Sequence, residues 1–269
     1  MTEPVKQGPN LLEEIENTDA AAAPALWWLG QSGFVLKFQD IVFYVDPCLS
    51  TPNHRTRLLQ SPLRGEQVIN ADMILCTHQH DGHMDPGALP AMLKASPRCR
   101  VVMPKSAAGH ASAIGIPYQR MTTTDSDLRV EYFKSGLYAR IYSVPSAHPE
   151  LSWTPLGGYP NLGYIIRFGD VNVYHAGDCK LYEGIVDRLR PYAVNVALLP
   201  ISGNGNFDIT EAAQLAEDIG AKWLVPMHYG TFAEQDADIS RFVDHMLGFR
   251  PATGFKVFQP GERWVVPRK

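Results

Sequence analysis

Hydrophobic residues fall mainly in short runs separated by glycine, proline and polar residues, the pattern typical of β-strands. Three runs, ALWWLG, GFVLKF and IVFYVD, stand close together, and the turn residues between them predict a meander. Further strands are expected in ADMILCT, RVVMP, LRVEYF, LYARIYSVP, NLGYIIRF, VNVYHAG, VNVALLP and KWLVPM. Residues 1–24, polar and then rich in alanine and proline, are predicted to form an arm before a single domain at 25–269.

Helical patterns are fewer and come mostly later in the chain. PGALPAMLKA predicts a helix after the fourth strand, and residues 236–247 show helical spacing of apolar positions. In DITEAAQLAEDIG, Asp208 and Glu211 fit a capping box and Gly220 fits a helix stop. Because apolar strands lie on both sides of these helices, the pattern favours a layered α/β sandwich over a simple parallel sheet.

Composition excludes several classes of protein. The net charge of -4 disfavours a nucleic-acid partner, which usually meets a basic surface. The N-terminus has no basic segment typical of a signal peptide, and no apolar run approaches the ~18 residues of a membrane span. The sequence therefore predicts a cytoplasmic protein with no membrane partner, with a homo-oligomer left open. Its scattered cysteines are interpreted as reduced thiols: Cys48, Cys76, Cys99 and Cys179.

Candidate chemistry is concentrated where predicted strands end. THQHDGHMDP follows ADMILCT and holds three histidines, while single histidines or an aspartate follow three later strands. Loops at one end of layered strands collect into one site, and imidazole and carboxylate groups bind hydrolytic divalent metals. A polar turn capping a helix is the alternative for the first three histidines, but the ordered set argues against it. The sequence predicts one metal centre formed by His78, His80, His83, His148, Asp178 and His228.

This ordered set resembles the metallo-β-lactamase superfamily. The stretches WLGQSGF, VDPCLS, VPSAHPE, HAGDC and PMHYGTF agree with that resemblance, which runs from about Ala25 to the C-terminus. Within the superfamily, the phrasing is most similar to the L-ascorbate-6-phosphate lactonase group of metal-dependent hydrolases. The resemblance implies an α/β fold of the four-layer αββα sandwich type.

The resemblance also implies a role for each ligand. The first metal is expected at His78, His80 and His148, the second at His83 and His228, with Asp178 bridging the two. One or two divalent ions are expected; zinc suits the histidines best, and manganese and iron also accept this mixed set.

One position departs from the family pattern H-x-H-x-D-H. Its fifth residue is Gly82, and the aspartate stands one place earlier, at Asp81. We expect the second metal to bind more weakly, because an anionic ligand is missing. The rival hypothesis makes Asp81 a ligand through the freedom of Gly82. Gln79 stands where the oxygen-reducing di-iron branch has a glutamate ligand, so that chemistry is not expected.

Neighbouring polar residues receive supporting roles. Asp46 is expected to orient a ligand histidine, and Asp85 to cap the helix before Pro86. Cys179 is interpreted as an inert buried thiol. The other histidines are interpreted as structural or surface residues: His54, His110, His175 and His245.

Three arginines, Arg55, Arg57 and Arg64, lie in an acid-free stretch at 47–65. A guanidinium group suits recognition of an anionic substrate group, whereas the alternative is an ordinary solvated loop. Both interpretations remain open from the sequence.

The predicted function is a metal-dependent hydrolase that uses a metal-activated water, with Asp178 and His228 as the catalytic candidates. The preferred substrate is a small lactone, with or without a phosphate. The alternatives are a phosphodiesterase of the same fold and, because of Gly82, a non-catalytic metal-binding scaffold.

Overall fold

The computed structural model describes residues 1–52, 54–249 and 251–268. Its helices are α1 (Gly8–Asn17), α2 (Leu89–Ala95), α3 (Ala108–Ala113), α4 (Ile185–Leu189), α5 (Ile209–Asp218) and α6 (Ile239–Phe249). Its strands are β1 (Ala25–Gly30), β2 (Gly33–Phe38), β3 (Ile41–Val45), β4 (Met73–Leu75), β5 (Arg100–Pro104), β6 (Met121–Thr124), β7 (Arg129–Lys134), β8 (Leu137–Pro145), β9 (Leu162–Phe168), β10 (Val171–His175), β11 (Val196–Pro200), β12 (Trp223–Met227), β13 (Gly254–Phe255) and β14 (Arg263–Val265). None of these helices is long and apolar enough to cross a membrane.

The strands form two seven-stranded mixed sheets. The first has the order β14-β1-β2-β3-β4-β5-β6, and the second has the order β13-β12-β11-β10-β9-β8-β7. In each sheet, antiparallel neighbours at one side give way to parallel ones, from β3 to β6 and from β10 to β13. The parallel strands matter for function because their carboxyl ends lie at one edge of the sheet.

Both faces of each sheet are buried along its central strands. Along β1, Leu26 and Trp28 face the apolar layer between the sheets, whereas Trp27 packs on the outer side with the helices. The same alternation places Ile166 of β9 between the sheets and Ile165 on the outer side. Helices α1 to α3 cover the first sheet and α4 to α6 cover the second, which confirms the predicted four-layer αββα sandwich.

The segment predicted as an arm contains α1, which packs on the first sheet. Its apolar side, Leu11, Leu12 and Ile15, is buried in the outer core. The indole Nε1 of Trp27 in β1 donates a hydrogen bond of 2.9 Å to the side chain of Glu14, which belongs to this helix. This part of the predicted arm therefore packs against the core. The helical period places its few apolar residues on one side, which faces the sheet.

The later helices agree with their sequence patterns. The backbone N–H of Glu211 donates to Asp208 at 2.8 Å and that of Asp208 donates to Glu211 at 3.0 Å, so the predicted capping box opens α5. Gly220 follows the end of this helix with φ +67°, the left-handed conformation that glycine adopts without strain. α2 begins at Leu89, later than predicted, after a turn through Pro86.

Candidate metal centre

Six side chains meet at the carboxyl ends of four strands. His78, His80 and His83 follow β4, His148 follows β8, Asp178 follows β10, and His228 follows β12. Their ligand atoms form two groups, each with all atoms within 4.8 Å of one another: His78, His80, His148 and Asp178 in the first, and His83, Asp178 and His228 in the second. The structure thus brings together all six residues predicted from the sequence.

In the first group, His78 and His80 present nitrogens 2.9 Å apart. Nε2 of His148 lies 3.3 Å from Oδ2 of Asp178, and Nε2 of His78 lies 3.9 Å from the same oxygen. His78 is buried, whereas His80 is exposed and His148 is half-buried. This group therefore faces the outside.

The second group lies deeper. Nε2 of His83 and Nε2 of His228 lie 3.1 and 3.2 Å from Oδ1 of Asp178, and all three side chains are buried. Asp178 consequently turns one carboxylate oxygen to each group. A carboxylate in this position can bridge two cations.

Other side chains and backbone groups fix the orientation of the histidines. Nδ1 of His83 lies 2.7 Å from Asp46, which also accepts hydrogen bonds from the N–H and hydroxyl of Thr77 at 2.8 and 2.7 Å. Nδ1 of His148 donates to the carbonyl of Gly205 at 2.9 Å. With the proton held on Nδ1, the lone pair on Nε2 points into the centre, which is the arrangement of metal-binding imidazoles.

The centre has the chemistry of a cation site. Oδ1 of Asp178 is buried and accepts no hydrogen bond of normal geometry, although two imidazole nitrogens lie within 3.2 Å. Both Nε2 atoms face this one carboxylate oxygen. Burial alone would raise the pKa of Asp178, but His83 and His228 hold it well below its usual range. An ionised carboxylate among imidazoles fits a divalent metal ion.

The histidine pKa values differ with their neighbours. Burial lowers the pKa of His228 to about 4, and burial with His83 nearby lowers the pKa of His78 well below its usual value. Burial opposes the charge on His83 as well, but the Asp178 and Asp46 carboxylates outweigh it and raise that pKa to about 10.

A pocket of about 480 Å³ opens on the centre. It is lined by His54, Arg55, Gln79, His80, Asp81, His83, His110, His148, Asp178, Asn204 and Gln235. His54 and His110, interpreted from sequence as structural or surface residues, therefore border this pocket.

The three arginines separate into different environments. Arg55 reaches the pocket, where its guanidinium donates a hydrogen bond to Gln235. Arg57 instead donates to the backbone carbonyls of Cys48 and Ser50, at 2.8 and 2.7 Å. Arg64 is exposed, pairs with Glu66 at 2.9 Å and does not line this pocket. Anion recognition at Arg57 and Arg64 therefore has no support from their positions, since one is used inside the loop and the other faces solvent.

The altered part of the histidine motif leaves room beside the centre. Asp81 lines the pocket but is absent from both groups of converging ligand atoms. A Cβ added to Gly82 would meet no atom within 4 Å. Asp85 accepts backbone N–H bonds from Leu49 at 2.8 Å and Gly87 at 2.8 Å, so it holds the turn that precedes α2. The prediction that Asp85 is the N-cap was wrong, because α2 begins three residues later than Pro86, with Ala88 at its N-cap.

Sequence reasoning missed Ser32 and Asn206. The Ser32 hydroxyl lies 3.0 Å from Nε2 of His228, and the Asn206 side chain lies 3.5 Å from Nδ1 of the same ring. WLGQSGF carries Ser32, but nothing in that stretch marks the serine as a neighbour of a distant histidine.

Cys179 is buried with its pKa raised to about 12 by burial, in agreement with an inert thiol.

Several known proteins are similar to this chain in sequence or in fold. A UPF0173 metal-dependent hydrolase from Hyperthermus butylicus is 28% identical over 240 residues, which cover 87% of this chain and 96% of that protein. The structure of Igni18, a metallo hydrolase from Ignicoccus hospitalis, has a TM-score of 0.74 at 23% identity and covers 92% of this chain and 100% of its own. The isothiocyanate hydrolase from Delia radicum gut bacteria has a TM-score of 0.70 at 16% identity, with coverages of 90% and 99%. These structural likenesses show the fold.

The sequence profile described as the beta-lactamase superfamily domain matches residues 25–228. This range covers most of the chain and the ends of all four strands around the site, and it includes all six converging side chains. The chain therefore belongs to the metallo-β-lactamase superfamily and is a metal-dependent hydrolase of that fold.

Proposed function

We propose that this protein is a lactonase-like hydrolase of a small anionic substrate, such as a lactone that carries a phosphate. The observation that carries the proposal is the composition of the pocket. Arg55 lines the same pocket as His80, His148 and Asp178. Its volume of about 480 Å³ suits a small molecule and not a polymer.

Among the described residues that line this pocket, Arg55 is the only lysine or arginine. It forms no salt bridge with another described residue, and its guanidinium lies 5.3 Å from the ring centre of Phe232. A guanidinium that is held but not neutralised favours a phosphate or carboxylate group. We infer that Arg55 binds the anionic end of the substrate while the reacting carbonyl faces the histidines.

The proposed ligands are the six converging residues, and the proposed catalytic residues are Asp178 and His228. When bound, a divalent metal lowers the pKa of water from ~15.7 to about 7 and polarises the substrate oxygen. Asp178 remains ionised, which keeps both of its oxygens available to hold the site together. His228 is fully buried with a pKa of about 4, so its ring stays neutral and available as a ligand at physiological pH.

The test is a substrate panel with metal-loaded protein and the Asp178→Asn variant as the blank. The panel contains neutral lactones, phosphorylated lactones, phosphodiesters and isothiocyanates. Faster turnover of phosphorylated lactones, lost in Asp178→Asn, is the expected result. Preference for phosphodiesters would replace the lactonase proposal by the phosphodiesterase alternative, and no turnover of any class would favour a scaffold.

We also propose a cytoplasmic location and a small molecule as the partner. The support is that all four cysteines are free and buried, as expected in a reducing compartment. Cell fractionation with an antibody against the native chain tests the location.

A further inference from the structure

The turn between β1 and β2 places a hydroxyl group inside the second group of ligand atoms. Ser32 is fully buried, and its Oγ lies 3.0 Å from Nε2 of His228 and 3.5 Å from Nε2 of His83. These are the same two nitrogens that lie 3.2 and 3.1 Å from Oδ1 of Asp178. Four atoms from four segments therefore surround one small space.

Four of the six separations within this set are close to those of a tetrahedral metal site. Zinc binds nitrogen and oxygen at about 2.1 Å, so tetrahedral ligand atoms lie about 3.4 Å apart. The four separations that join Ser32 and Asp178 to His83 and His228 run from 3.0 to 3.5 Å. The Ser32 hydroxyl also lies 3.4 Å from Nδ1 of His83. We propose that the Ser32 hydroxyl is the fourth ligand of the second metal, in place of the carboxylate that Gly82 lacks.

Ser32 is a better candidate than Asp81 for this role. Asp81 lines the pocket, and its carboxylate is absent from the converging ligand atoms of the described residues. The backbone of Ser32 is held from behind, because Nε2 of the buried His175 donates to its carbonyl oxygen at 2.8 Å. The hydroxyl is thereby kept in position before a metal arrives, which lowers the ordering cost of binding.

The simpler alternative is a hydroxyl that only hydrogen-bonds to His228. Under that alternative, Ser32 orients the ring and its loss resembles the loss of any other polar neighbour. Ser202 offers the comparison, because its hydroxyl lies 3.4 Å from Nδ1 on the opposite edge of the same imidazole. The two serines thus separate direct metal binding from ring orientation.

The two groups of ligand atoms differ in charge and in exposure. A hydroxyl carries no charge as it stands, so the second site keeps a lower ligand charge than one with a carboxylate and remains the weaker of the two. It is also closed by four buried protein ligands, whereas the first group lies beside the exposed His80.

The decisive experiment introduces a thiol at the hydroxyl position and uses Co²⁺ as the probe. Apo-protein carrying Ser32→Cys is titrated with Co²⁺ and followed by ultraviolet and visible absorption. A thiolate bound to Co²⁺ gives an intense charge-transfer band, which serine in the wild type and cysteine in Ser202→Cys do not give. The band is expected to grow with the second equivalent, because the first site fills first.

Ser32→Ala supplies the second readout. In zinc titrations with a chromophoric competitor, this variant should weaken the second site by more than the ~10–100-fold typical of outer-shell losses. Ser202→Ala should stay near the wild type, and circular dichroism checks that both variants fold. No band in Ser32→Cys, together with wild-type zinc affinity in Ser32→Ala, overturns the proposal. Neither readout requires a substrate, so failure of the lactonase assignment would leave this test intact.

Discussion

Nδ1 of His83 lies 2.7 Å from Oδ2 of Asp46, and both side chains are buried. This contact joins the loop after β3 to the histidine motif after β4. It holds the ring with Nε2 towards Asp178, 3.1 Å away. Asp46 thereby acts on the second group of ligand atoms without belonging to it.

Asp46→Asn should weaken the second metal by about 10–100-fold, because the amide cannot supply the charge that orients and polarises His83. Competition titration with zinc measures the change. Asp170→Asn, at the exposed turn between β9 and β10, is the matched control and should have no effect. Equal second-site affinity in Asp46→Asn and the wild type would contradict the role given to Asp46.

Gly82→Asp should tighten the second site, whereas Asp81→Ala should change it little. The reason is that a carboxylate adds ligand charge, and a Cβ at Gly82 meets open space. We expect an increase of about tenfold or more in second-site affinity, from one charge-assisted contact worth about 1.5–3 kcal/mol. Selective loss of the second metal in Asp81→Ala would show that Asp81 is a ligand.

Arg55→Ala should raise KM for an anionic substrate about tenfold or more, with a smaller loss in kcat. The physical reason is removal of the guanidinium from the pocket wall before the chemical step. Steady-state kinetics on the best substrate of the panel measures it. Arg64→Ala is the control, because Arg64 is exposed and pairs with Glu66. A KM unchanged in Arg55→Ala would remove the basis for an anionic substrate.

Glu14→Ala should lower the free energy of unfolding by about 1–2 kcal/mol at pH 7, because Trp27 loses its hydrogen-bond partner. Burial alone would raise the pKa of Glu14, but Lys6 and Trp27 hold it below its ordinary 4.5. The charged form therefore stabilises the fold above pH 4.5, and this contribution is lost as the pH falls through the lower folded-state pKa.

Urea unfolding of wild type and Glu14→Ala, both without metal, gives the difference at each pH. The difference should be constant from pH 7 to about 5 and should shrink below 4.5. A difference that grows on acidification would contradict the assigned direction. Glu14→Gln separates the hydrogen bond from the charge, because it keeps an acceptor for Trp27.

Local patterns were sufficient for the strands and the ligand histidines. Strand β4 is a buried apolar run, and the polar motif after it must leave the sheet. The helix α1 was not predicted, because its sequence has few apolar residues and it is held by hydrogen bonds from the distant Trp27 and Lys37. Long-range packing decided that element.

The same limit applies within the site. Ser32 and His228 are 196 residues apart, so their contact depends on how the two sheets meet. Arg57 looked like Arg55 in the sequence, and both guanidinium groups lie near the ring of Phe232, but that of Arg57 donates to the backbone carbonyls of Cys48 and Ser50. An acid-free stretch therefore indicates available charge, and tertiary contacts decide which arginine reaches the pocket.

The most direct measurement is a crystal structure of zinc-loaded protein with anomalous diffraction recorded on both sides of the zinc absorption edge. We expect a strong peak among His78, His80, His148 and Asp178, and a second peak of lower occupancy among His83, His228 and Oδ1 of Asp178. Absence of density at the first position, or zinc bound only elsewhere on the chain, would contradict this expectation.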